Sequence, residues 1–373
     1  MHTTFGIEEE FAFLDPVTLL PADVSEDVFE RLASDPVWGA VTHREFLASQ
    51  IEHASTVFRT LDEAEAAITG FRARLADEAR ASGVYVASIG TTPDANAFPA
   101  VTHTERYQRI VRDMAGLIAD HQFCGLHVHV GIPDREAGVV AMNATRPWLP
   151  LLTAISGNSP FWRGFDTGYE SWRTIQLRRW PTAGSPPRFA DAGDYDRRIR
   201  ALLGMAGLTD IGLIMWSVRL SEHLPTIEFR MGDAQLAAED TLLIAALCRA
   251  LVEYALDDHG DRYRIAHEAN LPGELLSAAV MHGAHTGMRG QLFDPQTREL
   301  ADARVVFERL LERVGPYLER DGDLGRVADL SARMLQLGTG AARQRAAFHR
   351  GGVDALARLY ETTIGGDPDS RAA

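Results

Sequence analysis

Polar side chains recur two residues apart in four separate stretches of this 373-residue chain. The four pairs are Glu8/Glu10, Gln50/Glu52, His127/His129 and Glu228/Arg230. Because successive side chains of a β-strand point to opposite faces, each pair should lie on one face of its strand. If the four strands are neighbours, the pairs form one polar floor, and the opposite face of the sheet packs against helices. The pattern predicts an α+β fold with an antiparallel sheet whose polar face is an active site.

The rest of the chain predicts elements around this floor. Strands are predicted over 4–14, 46–53, 84–89, 124–132, 211–218 and 226–231. Helices are predicted over 60–82, 104–121, 135–155 and 195–203, and over most of the chain from Glu239 onward.

Several boundaries carry their own signals. Thr60 and Glu63 form a capping box, and Gly83 is placed to end that helix. Pro147 and Pro150 should divide the helix over 135–155. Residues 157–195 have weak periodicity and are interpreted as a long functional loop. Without a repeat or a long linker, the sequence favours a single domain over 1–373.

Composition excludes several classes of protein. A formal net charge of -15 argues against unaided binding to nucleic acid or to an anionic membrane. Every basic side chain is arginine, so the lysine required by a Walker loop, a pyridoxal phosphate enzyme or a protein kinase is missing. Two cysteines and the lack of a leader or a membrane span favour a reducing cytoplasm.

The carboxylate pair at the start of the chain predicts a metal site. Glu8 and Glu10 would lie roughly 7 Å apart on one strand face and would repel each other unless a cation lay between them. Hard oxygen ligands favour Mg²⁺ or Mn²⁺. The alternative is a strand end that faces solvent.

The histidine pair has several interpretations. His127 and His129 fit a metal or phosphate site, although either could be a satisfied core residue. A dinuclear zinc hydrolase is a further alternative. This alternative is weaker because many of these enzymes bridge their two metals with a modified lysine, and this chain contains no lysine.

Arginines supply the cationic candidates. Glu228 and Arg230 could be an ordinary ion pair, but a carboxylate that holds a metal beside an arginine that faces a phosphate is what phosphoryl transfer requires. Arg173 and Arg343 lie in glycine-rich segments suited to hold phosphates, carboxylates or an adenine ring. The alternative for these arginine-rich segments is a solvated helix face, which is favoured more for Arg345 than for Arg343 or Arg173.

Six stretches together resemble a known family. They are FGIEEEF, SQIEHAS, CGLHVHVGIPD, SPFWRGFDTGYESWRT, PTIEFRMGD and GTGAARQR. In this order they resemble the bacterial carboxylate-amine ligases of the glutamate–cysteine ligase type 2 (YbdK-like) family, which is related to glutamine synthetase. The resemblance covers nearly the whole chain. It implies a glutamine-synthetase-like fold, in which a curved antiparallel sheet lines the active site and helices cover its outer face.

The resemblance also implies roles for individual residues. Glu8, Glu10 and Glu52 would be metal ligands, with Glu45 as a fourth carboxylate. His127 and Glu228 would hold the ion that bridges the ATP phosphates. His129 would approach the nucleotide or the acyl phosphate, and Arg230 would contact the transferred phosphate. Ser217, Leu220 and Gly232 depart from the family pattern and bear on the acceptor pocket, so the resemblance leaves open whether cysteine is the acceptor.

By the same likeness, the expected activity is ATP-dependent amide formation with Mg²⁺ or Mn²⁺. A substrate carboxylate, by analogy the γ-carboxylate of glutamate, would attack the γ-phosphorus of ATP, and an amine would then displace phosphate from the acyl phosphate. The substrates would be an amino-acid carboxylate, an amine and ATP, in a homodimer or larger assembly. The alternatives are a metal-dependent hydrolase or phosphatase on the same floor and a nucleotide sensor without catalysis.

Overall fold

The computed structural model describes residues 3–205, 208, 210–257 and 262–365, and the other residues of the predicted domain over 1–373 lie outside the described part. The strands are β1 (Phe5–Leu14), β2 (Thr42–Arg44), β3 (Gln50–Ala54), β4 (Tyr85–Ala87), β5 (Gly125–Gly131), β6 (Phe161–Trp162), β7 (Phe165–Asp166), β8 (Val218–Leu220), β9 (Thr226–Asp233), β10 (Gln291–Phe293) and β11 (Leu300–Asp302).

The α-helices are α1 (Ser25–Ala33), α2 (Leu61–Ala81), α3 (Glu105–Met114), α4 (Arg135–Thr145), α5 (Leu149–Ile155), α6 (Trp172–Leu177), α7 (Ala192–Met205), α8 (Ala238–Leu256), α9 (Arg262–Ala269), α10 (Gly273–Thr286), α11 (Ala303–Asp321), α12 (Leu324–Leu337) and α13 (Gly340–Gly365). Short 3-10 helices cover Gly39–Val41, Ala115–Asp120, Arg146–Trp148, Ile211–Leu213 and Gly287–Arg289.

One seven-stranded sheet organises the molecule. Its strand order is β2-β3-β1-β5-β9-β8, and β4 pairs with the C-terminal end of β1. The strands pair in antiparallel register. The four strands that carry the polar pairs, β3, β1, β5 and β9, are therefore consecutive in the sheet.

The face opposite the polar pairs is apolar and packs against helices. Phe11 and Phe13 of β1 lie in one core cluster with Phe71 and Leu75 of α2. Val128, Phe229 and the α8 residues Leu243 and Leu247 belong to a larger cluster. Burial of these side chains, worth about 1.5–3 kcal/mol each, is what holds the helices on this face.

Glu9 breaks the apolar pattern of that face without exposing its charge. The side chains of Glu9 and Arg72 of α2 are 0% and 1% exposed, and Arg72 Nη2 donates to Glu9 Oε1 over 2.6 Å. The hydroxyl of Thr241 in α8 also donates to Oε1, over 2.6 Å. Glu9 thus ties β1 to two helices, whereas its neighbours Glu8 and Glu10 point the other way.

The predicted boundaries of two helices are confirmed. The Thr60 hydroxyl accepts a hydrogen bond from the Glu63 backbone, and the Glu63 side chain accepts one from the Thr60 backbone. The helix ends before Gly83, whose φ of 69° lies in the left-handed region. The predicted helix over 135–155 is divided into α4 and α5 by the 3-10 segment that contains Pro147.

Two predictions about elements are corrected. The strand predicted over 211–218 is wrong, because residues 211–213 form a 3-10 helix and β8 begins only at Val218. The Asp210 carboxylate accepts a hydrogen bond from Gly212 N at 2.7 Å, which gives this backbone a local alternative to sheet pairing. The predicted loop over 157–195 contains β6, β7 and α6. The prediction that the chain after Glu239 is mostly helical is confirmed by α8 to α13, between which only the short β10–β11 hairpin intervenes.

Among the described residues, no helix is both long enough and apolar enough to cross a lipid bilayer.

Candidate active site

Strand register places the polar pairs on one face. Glu10 is opposite Glu52 on β3, and Glu8 is opposite His127 on β5. His129 is in turn opposite Glu228 on β9. Directly paired residues project to the same face of a sheet, so these side chains form a continuous polar floor.

The first group of possible metal ligands is Glu8, His129 and Glu228. One ligand atom of each lies within 4.8 Å of the others. Glu8 Oε1 is 3.1 Å from His129 Nε2, which is 4.0 Å from Glu228 Oε1. His129 Nδ1 is 2.9 Å from the Thr226 hydroxyl, a contact that fixes the ring and directs Nε2 toward the carboxylates.

The second group is Glu10, Glu45 and Glu52, which also place one oxygen each within 4.8 Å of one another. Burial and the charge of Glu10 raise the pKa of Glu45 to about 8. Burial, together with the charges of Glu8, Glu45 and Glu10, raises the pKa of Glu52 well above its ordinary value. For both carboxylates burial is the larger cause, and the clustered negative charge adds to it.

His127 lies between the two groups. Its Nδ1 is 2.8 Å from Glu8 Oε2, and its Nε2 is 3.9 Å from Glu10 Oε1. Burial and the charge of Arg230 lower the pKa of His127 despite the contact with Glu8. These surroundings favour the neutral imidazole of His127, which is the form that binds metals.

Glu228 is held by an arginine on each side. Arg219 Nε donates to Glu228 Oε2 over 2.7 Å, and Arg230 Nη1 donates to Oε1. Burial alone would raise the pKa of Glu228, but the charges of Arg230 and Arg219 hold it well below its ordinary value. The sequence reasoning assigned no role to Arg219. The signal was present, since Arg219 alternates with Val218 and Leu220 and is opposite Glu228 in the sheet.

A cavity of about 500 Å³ lies against this floor. Glu8, His129, Glu228 and Arg230 line one side of it. The apolar part of its wall comes from α7, the 3-10 turn that follows, β8 and the turn after β8. This cavity can hold a ligand with a charged end at the floor and a less polar end at the wall.

Two predicted nucleotide contacts do not line that cavity. Arg173 is buried, and its Nη1 donates to the Arg230 carbonyl over 3.3 Å. Arg343, in the first turn of α13, pairs with Asp240 of α8. The protein itself engages both guanidinium groups, so their predicted contacts with nucleotide receive no support from this placement.

The expectation for Arg345 is wrong. It is buried, and it forms ion pairs with Asp166 and Glu170 that tie α13 to the segment before α6. A solvated helix face was the favoured alternative for this arginine, but two acidic partners distant in sequence stabilise the buried charge.

Comparison with known proteins gives a consistent result. The family described as glutamate-cysteine ligase family 2 matches residues 4–361. A protein of Saccharopolyspora erythraea named "Putative glutamate--cysteine ligase 2-2" is 39% identical over 374 residues, which cover 98% of this chain and 94% of that protein. A "Putative glutamate--cysteine ligase 2" of Salinispora tropica is also 39% identical, over 95% of this chain and 93% of that protein.

Solved structures share the fold. The glutamate–cysteine ligase of Francisella tularensis in complex with AMP superposes with a TM-score of 0.70 at 10% identity, over 99% of this chain and 90% of that one. A bifunctional glutathione synthetase from Pasteurella multocida gives a TM-score of 0.63 at 14% identity, over 97% of this chain and 52% of that one. The predicted α+β fold class is confirmed.

Proposed function

Because this chain belongs to glutamate-cysteine ligase family 2, it is an ATP-dependent amide-forming ligase, and we propose that its polar floor is where ATP phosphorylates a substrate carboxylate before an amine displaces phosphate. One observation carries the proposal. Carboxylates, imidazoles and a guanidinium from distant parts of the chain converge on one face of the sheet beside a cavity of about 500 Å³. Phosphoryl transfer depends on this combination of positioned charges.

The donor set fits divalent cations. Glu8, His129 and Glu228 would hold one ion, and Glu10, Glu45 and Glu52 a second. Burial first, and then the charges of neighbouring glutamates, raise the pKa values of Glu45 and Glu52, and a bound cation would offset both influences on the ionised carboxylates. Oxygen-rich ligands favour Mg²⁺ or Mn²⁺, which would supply positive charge for the phosphate oxygens.

His127 and His129 have different roles in this proposal. The resemblance assigned His127 and Glu228 to the ion that bridges the phosphates. The geometry groups His129 with Glu8 and Glu228 and sets His127 between the two groups. We therefore propose His129 as the ligand on the cavity side, with His127 orienting Glu8.

Arg230 would act on the transferred phosphate. It lines the cavity and contacts only one oxygen of Glu228 through Nη1. Its guanidinium would donate to phosphate oxygens as their charge develops. The carboxylate oxygen of the acid attacks the γ-phosphorus and ADP leaves. The amine, once it has lost a proton, attacks the acyl carbon and phosphate leaves, while the walls limit hydrolysis by water.

Product analysis tests this function. The protein is incubated with ATP, Mg²⁺, glutamate and a panel of amines that includes cysteine, and ADP, phosphate and new amides are measured. We expect ADP and an amide in equal amounts, with both the acid and an amine required for full turnover. Phosphate release that needs no ATP would instead indicate a hydrolase, and ATP binding without any product would indicate a sensor.

The proposal includes three further predictions, about the location, the assembly and the partners of the protein. They are a cytoplasmic location, a homodimer or larger assembly, and small-molecule partners without nucleic acid or membrane.

A further inference from the structure

Strand β9 contains a β-bulge within the polar floor. Phe229 is opposite Val128 of β5. The next pair along the strands joins Gly232 to Leu126, so β9 advances three residues while β5 advances two. An extra residue of this kind leaves backbone groups without a strand partner and turns the side chains beyond it to the other face. Gly232 accordingly lies opposite a residue of the apolar core, although a regular strand would place it on the floor with Glu228.

Arg173 of α6 contacts the two residues that form the bulge. These residues are Arg230 and Met231, which together face the single residue His127 of β5. Arg173 Nη1 donates to the Arg230 carbonyl over 3.3 Å and to the Met231 carbonyl over 3.5 Å. Its Nη2 also donates to the Arg230 carbonyl, over 3.4 Å. The guanidinium therefore stands in for a strand partner at the point where the regular pairing of β9 and β5 is interrupted.

Two features hold the guanidinium against the bulge. Gly125 of β5 leaves room for it, because a Cβ at that position would overlap Arg173 Nη2. On the backbone side, the Ser159 hydroxyl accepts from Arg173 N over 3.0 Å and donates to Asp233 Oδ2 over 2.7 Å. Asp233 is the last residue of β9, so α6 is tied to the same strand that its arginine supports.

Stability alone does not explain a charge in this position. Arg173 is 3% exposed, and its Nε has no hydrogen-bond partner among the described residues. The three contacts that the other nitrogens make are longer than most hydrogen bonds in proteins. Weak contacts of this kind return little of the free energy that burial of a charged group costs. The placement of Arg173 is better explained by its effect on Arg230.

We propose that Arg173 is a positioning residue that holds the bulge of β9 and so directs the guanidinium of Arg230 toward the transferred phosphate. This inference rests on the proposed ligase function. The simpler interpretation is a buried arginine that supports the fold and affects activity only through stability.

Steady-state kinetics of Arg173→Met test the proposal. Methionine keeps an unbranched side chain in the site but removes every donor to the bulge. Displacement of Arg230 by about 1 Å implies that kcat falls by about 10- to 100-fold. The KM for ATP should stay within about threefold of the wild type, because Arg230 acts on the transferred phosphate rather than on ATP binding. Arg173→Lys keeps the charge without the planar fork and should lose about three- to tenfold, and it takes the place of Arg173→Met if that variant does not fold.

A binding cycle shows whether Arg173 acts through Arg230. The probes are ADP and ADP with aluminium fluoride, which occupies the place of the transferred phosphoryl group, each with Mg²⁺ and glutamate. The wild type should bind the fluoride complex about 100-fold more tightly than ADP. Arg173→Met and Arg230→Ala should each reduce this ratio by about tenfold or more. The double variant should stay within about threefold of Arg230→Ala, because two residues that act through one contact are not additive.

Arg146→Met is the matched control. Arg146 is 1% exposed and also donates to backbone carbonyls, but it does not line the cavity. That variant should lose stability in urea and keep kcat within about threefold of the wild type. Four results would overturn the inference: an unchanged kcat in the Arg173 variants, an equal fall in Arg146→Met, single losses that multiply in the double variant, or equal wild-type affinity for the two probes. Failure of the wild type to form ADP with any acid would instead overturn the proposed function.

Discussion

Three consecutive glutamates at the start of β1 have separate tasks because a strand alternates its side chains. Glu8 and Glu10 belong to two different groups of possible metal ligands on the polar face. Glu9 points into the helical layer, where Arg72 and Thr241 satisfy its oxygens. Substitution of Glu8 or Glu10 should therefore reduce activity, whereas substitution of the adjacent Glu9 should reduce stability.

The first prediction concerns the polar floor. Glu8→Gln keeps the shape of the side chain but removes the charge that the first group offers to a cation, and Arg230→Ala removes the guanidinium beside Glu228. We expect each variant to lose at least about 100-fold in ADP formation, because the groups that stabilise developing charge are worth several kcal/mol. Circular dichroism should show the wild-type fold. Glu308→Gln on the exposed face of α11 is the control, and near-normal activity in both test variants would contradict the site.

The second prediction concerns Glu9. Glu9→Gln leaves Arg72 buried without its anionic partner, although the carbonyl of Gln235 still accepts from Arg72 at 2.8 Å. We expect the free energy of unfolding to fall by about 3 kcal/mol, as is common when one partner of a buried ion pair is removed. Urea denaturation measures the change.

A surface pair provides the control for Glu9. Glu26 and Arg44 form an ion pair with side chains that are 52% and 39% exposed, so Glu26→Gln should cost less than about 1 kcal/mol. If Glu9→Gln and Glu26→Gln lost equal amounts of unfolding free energy, burial would not determine the cost of removing one partner of an ion pair.

The arginines show where residue-level prediction from sequence ends. Arg230 is recognisable because it lies two residues after Glu228 on a strand and so shares a face with it. Arg173, Arg343 and Arg345 lie outside such a pattern, and their buried partners come from distant parts of the chain. Only the fold decides whether an arginine in a glycine-rich segment faces a ligand or an internal acid.

At the scale of elements, local signals predict α2 fully. Its capping box and its terminal glycine are short-range features, so the sequence alone contains them. The prediction of a strand over 211–218 was wrong because it overlooked another local signal, the side chain of Asp210. An apolar run favours a strand, but the Asp210 side chain bonds the backbone two residues on and begins a turn. The sheet order depends on pairings between distant strands, and the polar pairs suggested only that four of these strands are neighbours.

The third prediction tests the capping box. Thr60→Ala removes the acceptor for Glu63 N and should lower the free energy of unfolding by about 1 kcal/mol without changing activity. Thr69→Ala in the same helix is the matched control, since alanine has the higher helix propensity and the change should stay within about 0.5 kcal/mol. Thermal or urea unfolding distinguishes the two, and a larger loss in Thr69→Ala would refute the role of the cap.

At the scale of the whole molecule, the fold concentrates negative charge on one face of its sheet. The chain has a net charge of -15, and five glutamates gather on the polar floor. The helical layer and the antiparallel sheet stabilise this arrangement in spite of the repulsion. A protein built in this way should be most stable when cations are bound, because a ligand that binds only the native state shifts the unfolding equilibrium.

The final prediction follows from the second group of carboxylates. In the metal-free protein the raised pKa values of Glu45, about 8, and of Glu52 mean that the native state keeps protons that the unfolded state has released. Their contribution to stability is fully present below about pH 4.5. The part from Glu45 is lost as the pH rises through about 8, and the part from Glu52 is lost as the pH rises through its own raised pKa. We therefore expect the metal-free protein to be less stable at about pH 8 than at about pH 6. Added Mg²⁺ should reverse this loss, by about 2.7 kcal/mol at a hundredfold excess over its Kd.

Glu52→Gln provides the comparison for this pH dependence. The variant removes one of the repelling charges, so without metal its unfolding free energy should depend less on pH than that of the wild type. It also removes a ligand, so Mg²⁺ should stabilise it less. Denaturation in EDTA and in MgCl₂ at the two pH values measures both effects, with Glu308→Gln as the exposed control. An equal response to Mg²⁺ in Glu52→Gln and the wild type would exclude Glu52 as a ligand, because loss of a ligand must weaken a site that depends on it.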